Sequence, residues 1–408
     1  MPRVLPVYFF LFLALSCVAQ TRTGLDVLSN EKFAMLKGKR IGFICNQTSL
    51  SSTDEFGPDL LLAAKVKLVA IFSPEHGFSG IRKAGVESDT ATSYKGIPIY
   101  SLYGGTRKPT KAMLAGITTL VFDIQDIGVR PYTYLSTMVL AMEAAAENKV
   151  EFIVLDRPNP LGGERIEGNI LDTTLKSFVG QVPVPYIHGM TLGELAQMAK
   201  GERWFTDASK LHLHVIKLRN WRRHMDWSAT KLEWTAPSPN IPTPDAALGA
   251  AMVGAIGELG ILSIGMGTDA PFQRIGSRLI SQITLRQTID SIKPFNVRIV
   301  EENYSAPFEY STKYYNGIRF ELPDSAFVGE LYPMQFKLLQ TLIRSDTNLL
   351  RSYNATTFST KNMFDKVTGT RELRRCIESG GDLEELFGKW RTESARFREA
   401  RKKYLLYY

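Results

Sequence analysis

Short apolar segments alternate with helical patterns between residues 39 and 220, and this alternation limits the chain to few architectures. The apolar segments are "RIGFIC" (40–45), "VKLVAIF" (66–72), "TLVFDI" (119–124), "VEFIVLD" (150–156), "PVPYIH" (183–188) and "LHVIKL" (213–218). Their length and composition are typical of buried strands. Strands that alternate with helices form a mainly parallel sheet, because a parallel neighbour needs a crossover connection. The sequence therefore predicts an α/β domain here.

Two segments between these strands carry helix signals. In "YLSTMVLAMEAAAENK" (134–149), apolar residues such as Leu135, Met138 and Met142 recur on one face. In "TLGELAQMAK", Thr191 and Glu194 have the spacing of a capping box, in which each side chain bonds a backbone N–H at the start of a helix. Both segments are predicted to be helices.

A proline cluster divides the chain. The run "TAPSPNIPTPDAA" (235–247) contains four prolines, and helices do not pass through such a stretch because proline lacks an N–H and fixes φ. We predict an α/β domain over 22–245 and a smaller α+β domain over 246–408. The second domain is predicted from a helix in "AALGAAMVGAIGEL" (246–259), a strand in "NGIRFELPD" (316–324) and helices near 333–350 and 383–401.

The first residues have the pattern of a secretory signal peptide, predicted over residues 1–19. Arg3 precedes an apolar run over 4–15, and small residues follow. We expect export to the periplasm or the medium. "ALSC" loosely resembles a lipoprotein processing site, so a lipid anchor at Cys17 is the alternative to a soluble product. No later segment approaches the ~20 apolar residues of a membrane span.

Composition and motifs argue against several other classes of function. The net charge is +8, but the basic residues are scattered, so no nucleic-acid partner is predicted. Cys45 and Cys376 do not make a disulfide scaffold, and Cys45 is predicted to be a buried small hydrophobe. The sequence contains no Rossmann dinucleotide fingerprint, no P-loop and no G-x-S-x-G nucleophile elbow. Neither a cofactor nor a metal is predicted.

Acids and a histidine stand where the predicted strands end. Glu75 follows "LVAIF", Asp123 and Asp126 follow "LVF", Asp156 follows "FIVL", and His188 follows "VPYI". The carboxyl ends of parallel strands form one edge of a sheet, and ligands bind at that edge. We therefore expect these side chains to converge on one cleft.

Structural roles are the alternative for most of these residues. An Asp after a strand often caps a helix or occupies a turn, which applies to Asp123 and Asp156. A lone histidine such as His188 is often satisfied by the backbone. Glu75 is different, because Glu is a poor turn residue. A carboxyl group at the end of a buried strand has the setting of a general acid, with His76 as its neighbour.

Six motifs occur together and in order along the chain. They are "SPEHGFSG" (73–80), "PIYSLYGGTRKP" (98–109), "FDIQDIGVRPYTY" (122–134), "LDRPNPLGG" (155–163), "IHGMTLGELA" (187–196) and "PSPNIPTPDAAL" (237–248). Together they resemble the exo-β-N-acetylmuramidase family over nearly the whole chain after the predicted signal peptide. The resemblance implies a Rossmann-like N-terminal domain, a smaller C-terminal domain and an active site in the cleft between them.

The resemblance implies a glycoside hydrolase without a cofactor. Its substrates would be peptidoglycan fragments of the MurNAc–GlcNAc type, from which it removes non-reducing N-acetylmuramic acid (MurNAc). Glu75, in the S-P-E-H-G motif, is the implied general acid. Asp123 or Asp126 as a base, or the substrate's own acetamido group, would supply the second catalytic function. His76 would orient Glu75, contact the sugar or serve only as a buried partner.

Substrate binding is inferred for polar and aromatic side chains of the matching motifs. Arg130 or Arg157 would grip the lactyl carboxylate that distinguishes MurNAc from N-acetylglucosamine (GlcNAc). Tyr132 and Tyr134 would pack on a sugar face or in the core. The full set inferred to bind substrate is Arg130, Tyr132, Tyr134, Asp156, Arg157, Asn159, His188, Asn240 and Asp269.

Two rival functions stay open on the sequence. One is a metal-dependent hydrolase of cell-wall sugars, with the metal held by Asp123, Asp126 and either His76 or His188. The other is a muropeptide-binding envelope protein without catalytic activity.

Overall fold

The computed structural model describes residues 19–82, 92–295, 298–308, 311–322 and 329–408. Residues 1–18 lie outside these ranges. The predicted signal peptide and the proposed lipid anchor at Cys17 therefore fall almost wholly outside the described part of the chain.

The first half of the chain folds around a seven-stranded sheet. Its elements are α1 (Gly24–Asn30), β1 (Arg40–Cys45), α2 (Gly57–Ala63), β2 (Lys67–Ser73), β3 (Ser93–Tyr94), β4 (Ile97–Ser101), β5 (Thr119–Asp123), α3 (Thr133–Glu147), β6 (Glu151–Leu155), α4 (Leu192–Gly201) and β7 (Leu213–Ile216). Six strands pair in parallel, and only the two-residue β3 is antiparallel. The prediction of a mainly parallel sheet is confirmed.

The order of the strands explains where a site can form. The sheet order is β3-β4-β2-β1-β5-β6-β7. Without β3, this is the strand order of a Rossmann fold, in which the chain first winds outward in one direction and then in the other. The direction reverses between β1 and β5. Ligands bind in the crevice outside the carboxyl ends of the strands at such a point.

Both faces of the sheet are buried, as expected for parallel strands. Phe72, Phe122 and Phe152 pack against α3 and α4 on one face. Phe43 and Ile71 belong to the core on the opposite face, with α1 and α2. Cys45 is buried in that second core as a free thiol, as predicted.

The rest of the chain forms a smaller domain that combines helices with a three-stranded antiparallel sheet of order β8-β10-β9. The connection to it contains α5 (Trp227–Thr230). Its own elements are α6 (Pro244–Gly257), β8 (Arg274–Ser277), α7 (Gln282–Ile292), β9 (Arg298–Phe308), β10 (Ser311–Glu321), α8 (Leu331–Ser345), α9 (Thr347–Asn354), α10 (Phe358–Thr368), α11 (Glu372–Ser379) and α12 (Leu383–Ala400). The predicted α+β class is confirmed. No helix in the described parts of the chain is long and apolar enough to cross a membrane.

The end of the chain returns to the first domain. Phe397 packs in the core around α3 and α4, and the Tyr407 hydroxyl donates to Asp156 at the end of β6. Helix α6 begins at Pro244, so the predicted boundary at 245 falls in its first turn. The domain boundaries themselves stay a prediction.

One predicted strand is wrong. The segment 183–188 is irregular, and Ile187 makes only single bridges, to Val129 and Glu167. Pro183 and Pro185 lack the N–H groups that a central strand needs, which is the physical reason. His188 therefore does not follow a strand.

Candidate active site

A cavity of about 920 Å³ lies between the two domains, in the size range of ligand pockets. We call it the interdomain cavity. Its wall in the first domain includes Glu75 and His76, which follow β2, and Tyr132 and Thr133, at the start of α3. The wall from the C-terminal half includes Glu258, Ile264, Phe272, Arg278, Lys313 and Tyr315. The predicted cleft between domains is thus present.

Glu75 lies in this wall and is only 8 % exposed. The Thr133 hydroxyl donates to Glu75 Oε2 at 2.7 Å. Thr133 is the first residue of α3, the helix that connects β5 to β6. This helix therefore holds the side chain of Glu75, which follows β2. One oxygen of the carboxyl group is thereby held in place at the cavity wall.

His76 has a strained backbone. Its φ is +68°, in the left-handed region that few non-glycine residues adopt, and Gly77 continues there with φ +77°. The ring nitrogen Nδ1 lies 2.7 Å from the main-chain oxygen of Arg82. Because a carbonyl oxygen only accepts, Nδ1 carries the hydrogen, and Nε2 is the ring nitrogen that this bond leaves to a ligand. Strain of this kind concentrates at functional sites.

Asp126 is buried behind the cavity wall, next to the lining residue Ile127. Its Oδ2 accepts from the Gly128 N–H at 2.8 Å, whereas no described residue bonds Oδ1. Desolvation raises the pKa of Asp126 to about 7, although the N–H groups of Gly128 and Ile127 oppose the rise. This carboxyl group can therefore hold or release a proton near neutral pH.

Asp123 forms a buried ion pair with Arg157. The guanidinium reaches both carboxylate oxygens, with Nε 2.5 Å from Oδ1 and Nη2 3.0 Å from Oδ2. Arg157 also donates to the main-chain oxygen of Leu50 at 2.9 Å. Burial raises the pKa of Asp123, and the charge of Arg157 opposes that rise. These two residues satisfy each other, which is a structural role.

Asp156 and His188 are also fully buried. Asp156 accepts from the Thr191 hydroxyl at 2.7 Å, the Gly193 N–H at 2.8 Å and the Tyr407 hydroxyl at 2.6 Å. Desolvation raises its pKa to about 6. His188 Nδ1 accepts from the Met190 N–H at 3.2 Å, and burial lowers its pKa to about 3, so it is neutral. These contacts fix α4 and the end of the chain.

The remaining predicted residues have various partners. Arg130 donates to main-chain oxygens only. Asn159 donates to Met190 O and accepts from Leu161 N–H. The Tyr134 hydroxyl donates to Pro237 O. Asp269, whose side chain is 80 % exposed, pairs with Arg274.

Four of the predicted site residues line the cavity: Glu75, His76, Tyr132 and Asn240. The others lie in the interior or, for Asp269, on the surface. Asp123 and Asp156, at the ends of strands, bind an arginine and a helix N-terminus, which are the structural roles that the sequence left open. The functional roles of these residues stay predictions.

Sequence reasoning missed several cavity residues. Thr133 lies inside the motif "FDIQDIGVRPYTY", where its hydroxyl gave no signal of its own. Glu258, Arg278 and Tyr315 come from the C-terminal domain, where the antiparallel sheet offers no strand-end rule. Glu258 is open to the cavity, and desolvation by the surrounding wall raises its pKa.

The described residues contain no group of three or more His, Cys, Asp or Glu side chains that is arranged to hold a metal ion. Of the four residues considered for a metal, Asp123 is already paired with Arg157. The two histidines differ in setting, since His76 lines the cavity and His188 is fully buried.

Comparison with known proteins now identifies the family. Sequence models of the N-terminal and C-terminal domains of exo-beta-N-acetylmuramidase NamZ match residues 41–245 and 251–407. The chain belongs to this family. A peptidoglycan beta-N-acetylmuramidase NamZ from Bacillus subtilis (strain 168) is 37% identical in an alignment of 404 positions that covers 95% of this chain and 92% of that protein. The resemblance in the motifs is thereby confirmed.

Solved structures of two Bacteroides fragilis proteins of the DUF1343 family share the NamZ fold of this chain. One has a TM-score of 0.84 at 38% identity, and the other a TM-score of 0.74 at 31% identity. Each match covers 95% of this chain and 99% of the solved one. The fold class and the enzyme class, a glycoside hydrolase of the exo-β-N-acetylmuramidase type, are therefore confirmed, whereas the role of Glu75 is not tested by these comparisons.

Proposed function

We propose that the interdomain cavity binds a MurNAc residue at the non-reducing end of a peptidoglycan fragment, and that Glu75 protonates the glycosidic oxygen. The observation that carries this proposal is the position of Glu75. Its carboxyl group lines the cavity at the end of β2 and is held by the Thr133 hydroxyl. The Bacillus subtilis relative is named as a peptidoglycan beta-N-acetylmuramidase, and this name and the family match support the choice of substrate.

The chemistry has a simple balance. The bond between the anomeric carbon and the glycosidic oxygen breaks as Glu75 transfers its proton to that oxygen. The anomeric carbon passes through an oxocarbenium-like state, and a water molecule adds its oxygen there. The water gives its proton to a base, and Glu75 regains a proton through solvent, so the enzyme returns to its starting state. The products are free MurNAc and the shortened fragment.

The second catalytic function has two candidates among the carboxyl groups. Glu258 lines the cavity directly, from the C-terminal end of α6. Asp126 lies behind the wall with a pKa of about 7, raised by desolvation. The acetamido group of the substrate is the third candidate, because it can stabilise the anomeric centre in place of a protein carboxylate. His76 Nε2 is available to a sugar hydroxyl.

A pair of chromogenic substrates tests the proposed activity. The full-length protein is expected to release the chromophore from a β-MurNAc glycoside, and to release free MurNAc from a MurNAc–GlcNAc disaccharide. Absence of release from both would contradict a hydrolase. Loss of activity with a chelator, restored by a metal, would support the metal-dependent rival, and saturable binding without turnover would support the binding protein.

Replacement of Glu75 tests its role as the acid. Glu75→Gln is expected to lower kcat by about 10²-fold or more on the disaccharide, because the amide cannot give up a proton. The loss is expected to be much smaller on an aryl glycoside whose leaving group needs no protonation. Hydrolysis rates of both substrates are measured for the variant and for Glu258→Gln, a matched change in the same cavity. Equal losses on the two substrates would move the proton donor elsewhere.

We also propose export across the cytoplasmic membrane, with lipidation at Cys17 as the alternative to a soluble product. The support is the apolar run after Arg3 and the position of peptidoglycan outside that membrane. Cell fractionation, together with labelling by a radioactive fatty acid in the native chain and in Cys17→Ser, tests both points. Retention of the unprocessed chain in the cytoplasm would contradict export.

A further inference from the structure

Few charged side chains face the interdomain cavity. In the described part of the chain its lining includes two carboxylates, Glu75 and Glu258, and two cations, Arg278 and Lys313. Glu75 comes from the first domain, and Glu258 follows α6 in the second. Arg278 directly follows β8, and Lys313 lies on β10. An anionic group of a ligand would therefore be attracted to the side of the cavity formed by β8 and β10.

Arg278 is available to a ligand, whereas the neighbouring Arg274 is not. Its side chain is exposed, and no ion pair or hydrogen bond joins its guanidinium to any described residue. By contrast, Arg274, four residues earlier, is buried and pairs with Asp269 and Glu302. Arg274 of β8 thus supports the fold, whereas Arg278, just after β8, lies at the cavity with its donors uncommitted.

The segment that carries Arg278 is held firmly. It directly follows β8, where Ser277 pairs with Asn316 of β10. The Leu279 N–H donates to the Ser277 hydroxyl at 3.1 Å, and Asn316 Nδ2 donates to Ile280 O at 3.2 Å. Because the backbone that carries Arg278 is fixed, less entropy is lost when its side chain binds a ligand.

The positive charge of Arg278 acts on another residue of the cavity, Tyr315. Desolvation raises the pKa of the Tyr315 hydroxyl, and the positive charge of Arg278 opposes the rise. Tyr315 stacks on Tyr304, with ring centroids 5.5 Å apart, so its ring is fixed as well. Arg278 and Tyr315 together form a polar and aromatic corner of the cavity.

MurNAc differs from GlcNAc by a lactyl ether that ends in a carboxylate. A guanidinium binds such a group through two parallel N–H···O bonds. The sequence suggested Arg130 or Arg157 for this contact, but both are buried with other partners. We propose that Arg278 binds the lactyl carboxylate and makes the cavity selective for MurNAc. This inference rests on the proposed function and deepens it.

The test compares two substrates and two variants. Arg278→Gln removes the charge, and Arg286→Gln is the matched control, since Arg286 is an exposed arginine on α7 outside the cavity lining. We measure kcat/KM for the chromogenic β-MurNAc and β-GlcNAc glycosides. Arg278→Gln is expected to lower kcat/KM about 10- to 100-fold on the MurNAc substrate, mainly through KM, and to leave the GlcNAc value unchanged. Arg286→Gln is expected to behave as the native chain.

A modified substrate gives a reading that needs no variant. The methyl ester of the lactyl group removes its charge, so the native protein is expected to lose a similar factor on the ester. Arg278→Gln is expected to hydrolyse the acid and the ester with similar efficiency. Equal kcat/KM of the native protein on acid and ester, or a native selectivity in Arg278→Gln, would overturn the inference. The inference would also be overturned if Lys313→Gln, and not Arg278→Gln, lost the preference for the acid over the ester.

Binding measurements separate this inference from the proposed function. Free MurNAc and free GlcNAc are titrated into the native protein and into Arg278→Gln by calorimetry. Tighter binding of MurNAc by the native protein only is the expected result, and it does not depend on turnover. If MurNAc binds selectively but no glycoside is cleaved, the hydrolase is contradicted and the recognition stands. If glycosides are cleaved but both proteins bind MurNAc alike, Arg278 has no such role.

Discussion

At the scale of single residues, four carboxyl groups near the edge of the sheet differ in their partners. Glu75 accepts from the Thr133 hydroxyl at the cavity wall. Asp123 is neutralised by Arg157, and Asp156 receives hydrogen bonds from two hydroxyls and from backbone N–H groups. Asp126 Oδ2 accepts from the Gly128 N–H, and Oδ1 has no partner among the described residues. All four carboxyl groups are buried, so burial alone does not distinguish them. Their chemistry differs because their hydrogen-bond and ion-pair partners differ.

Thr133 is expected to act on catalysis through Glu75. Thr133→Val removes the hydroxyl that holds Oε2 with little change in shape, so the carboxyl group loses one restraint and kcat is expected to fall about tenfold. Thr133→Ser keeps the hydroxyl and serves as the matched control. Rates on the disaccharide and thermal unfolding are measured for both variants. An equal kcat for Val and Ser would remove Thr133 from the mechanism.

Asp126 is expected to make stability depend on pH. Its pKa is raised to about 7 in the folded chain from 3.8, mainly by desolvation. A raised carboxyl pKa means that its contribution is fully present below about pH 4 and is lost as pH rises through about 7. At about 1.4 kcal/mol per pH unit, ionising the buried group costs roughly 4 kcal/mol.

Asp126→Asn is the variant that measures this effect, because the amide does not ionise and still accepts from Gly128 N–H. Relative to the native chain, its free energy of unfolding is expected to rise by roughly 4 kcal/mol between pH 4 and pH 8. Urea unfolding at several pH values provides the comparison. Parallel stability curves for the two proteins would show that Asp126 ionises normally.

At the scale of elements, helix N-termini organise the edge of the sheet. The capping box of Thr191 and Glu194 begins α4, as predicted. Thr191 also donates to Asp156, which in turn accepts from the Gly193 N–H. A carboxylate at this end of a helix is favoured by the helix dipole. The strand β6 and the helix α4 are thus joined through one acid.

Thr191→Ala is expected to destabilise the protein by about 1–3 kcal/mol. It removes both the N-cap bond and one hydrogen bond to the buried Asp156. Thr191→Ser keeps the hydroxyl and is expected to cost less than about 1 kcal/mol. The free energies of unfolding in urea are measured for both variants and for the native chain. A Ser variant as unstable as the Ala variant would mean that the methyl group, not the hydroxyl, matters.

At the scale of the whole molecule, Arg130 joins the two halves. Its guanidinium donates to Asn169 O and Val184 O in the first half, and to Val367 O and Thr368 O near the end of α10. Desolvation lowers the pKa of this buried group. The cavity depends on this junction, since Val129 and Val367 both line it.

Arg130→Met is expected to lower the free energy of unfolding by about 3–5 kcal/mol, because several buried carbonyl groups lose their donor. The control is Arg286→Met, an exposed arginine whose replacement is expected to cost less than about 1 kcal/mol. Urea unfolding followed by tryptophan fluorescence measures both. A native-like midpoint for Arg130→Met would argue against the junction.

Local sequence patterns predicted much of the fold. The strands around 40–45, 66–72, 119–124 and 150–156 were predicted because buried parallel strands are continuous apolar runs. The capping box was predicted from two residues three positions apart. The segment 183–188 failed because its two prolines outweigh its apolar pattern. Strands β4, β8 and β9 were missed because they are short or mostly polar.

The sequence alone determined the α/β class and the family through its motifs. It also predicted Glu75 and His76 as site residues; both line the cavity, and their catalytic roles stay predictions. These depend on local periodicity and on motif order. Only the tertiary structure decided which polar residues reach the cavity, since Asp123 and Arg157, which are 34 positions apart, satisfy each other. It also brought Glu258 and Arg278 from the second domain to the same cavity as Glu75. Contacts between distant segments depend on packing, which no local pattern encodes.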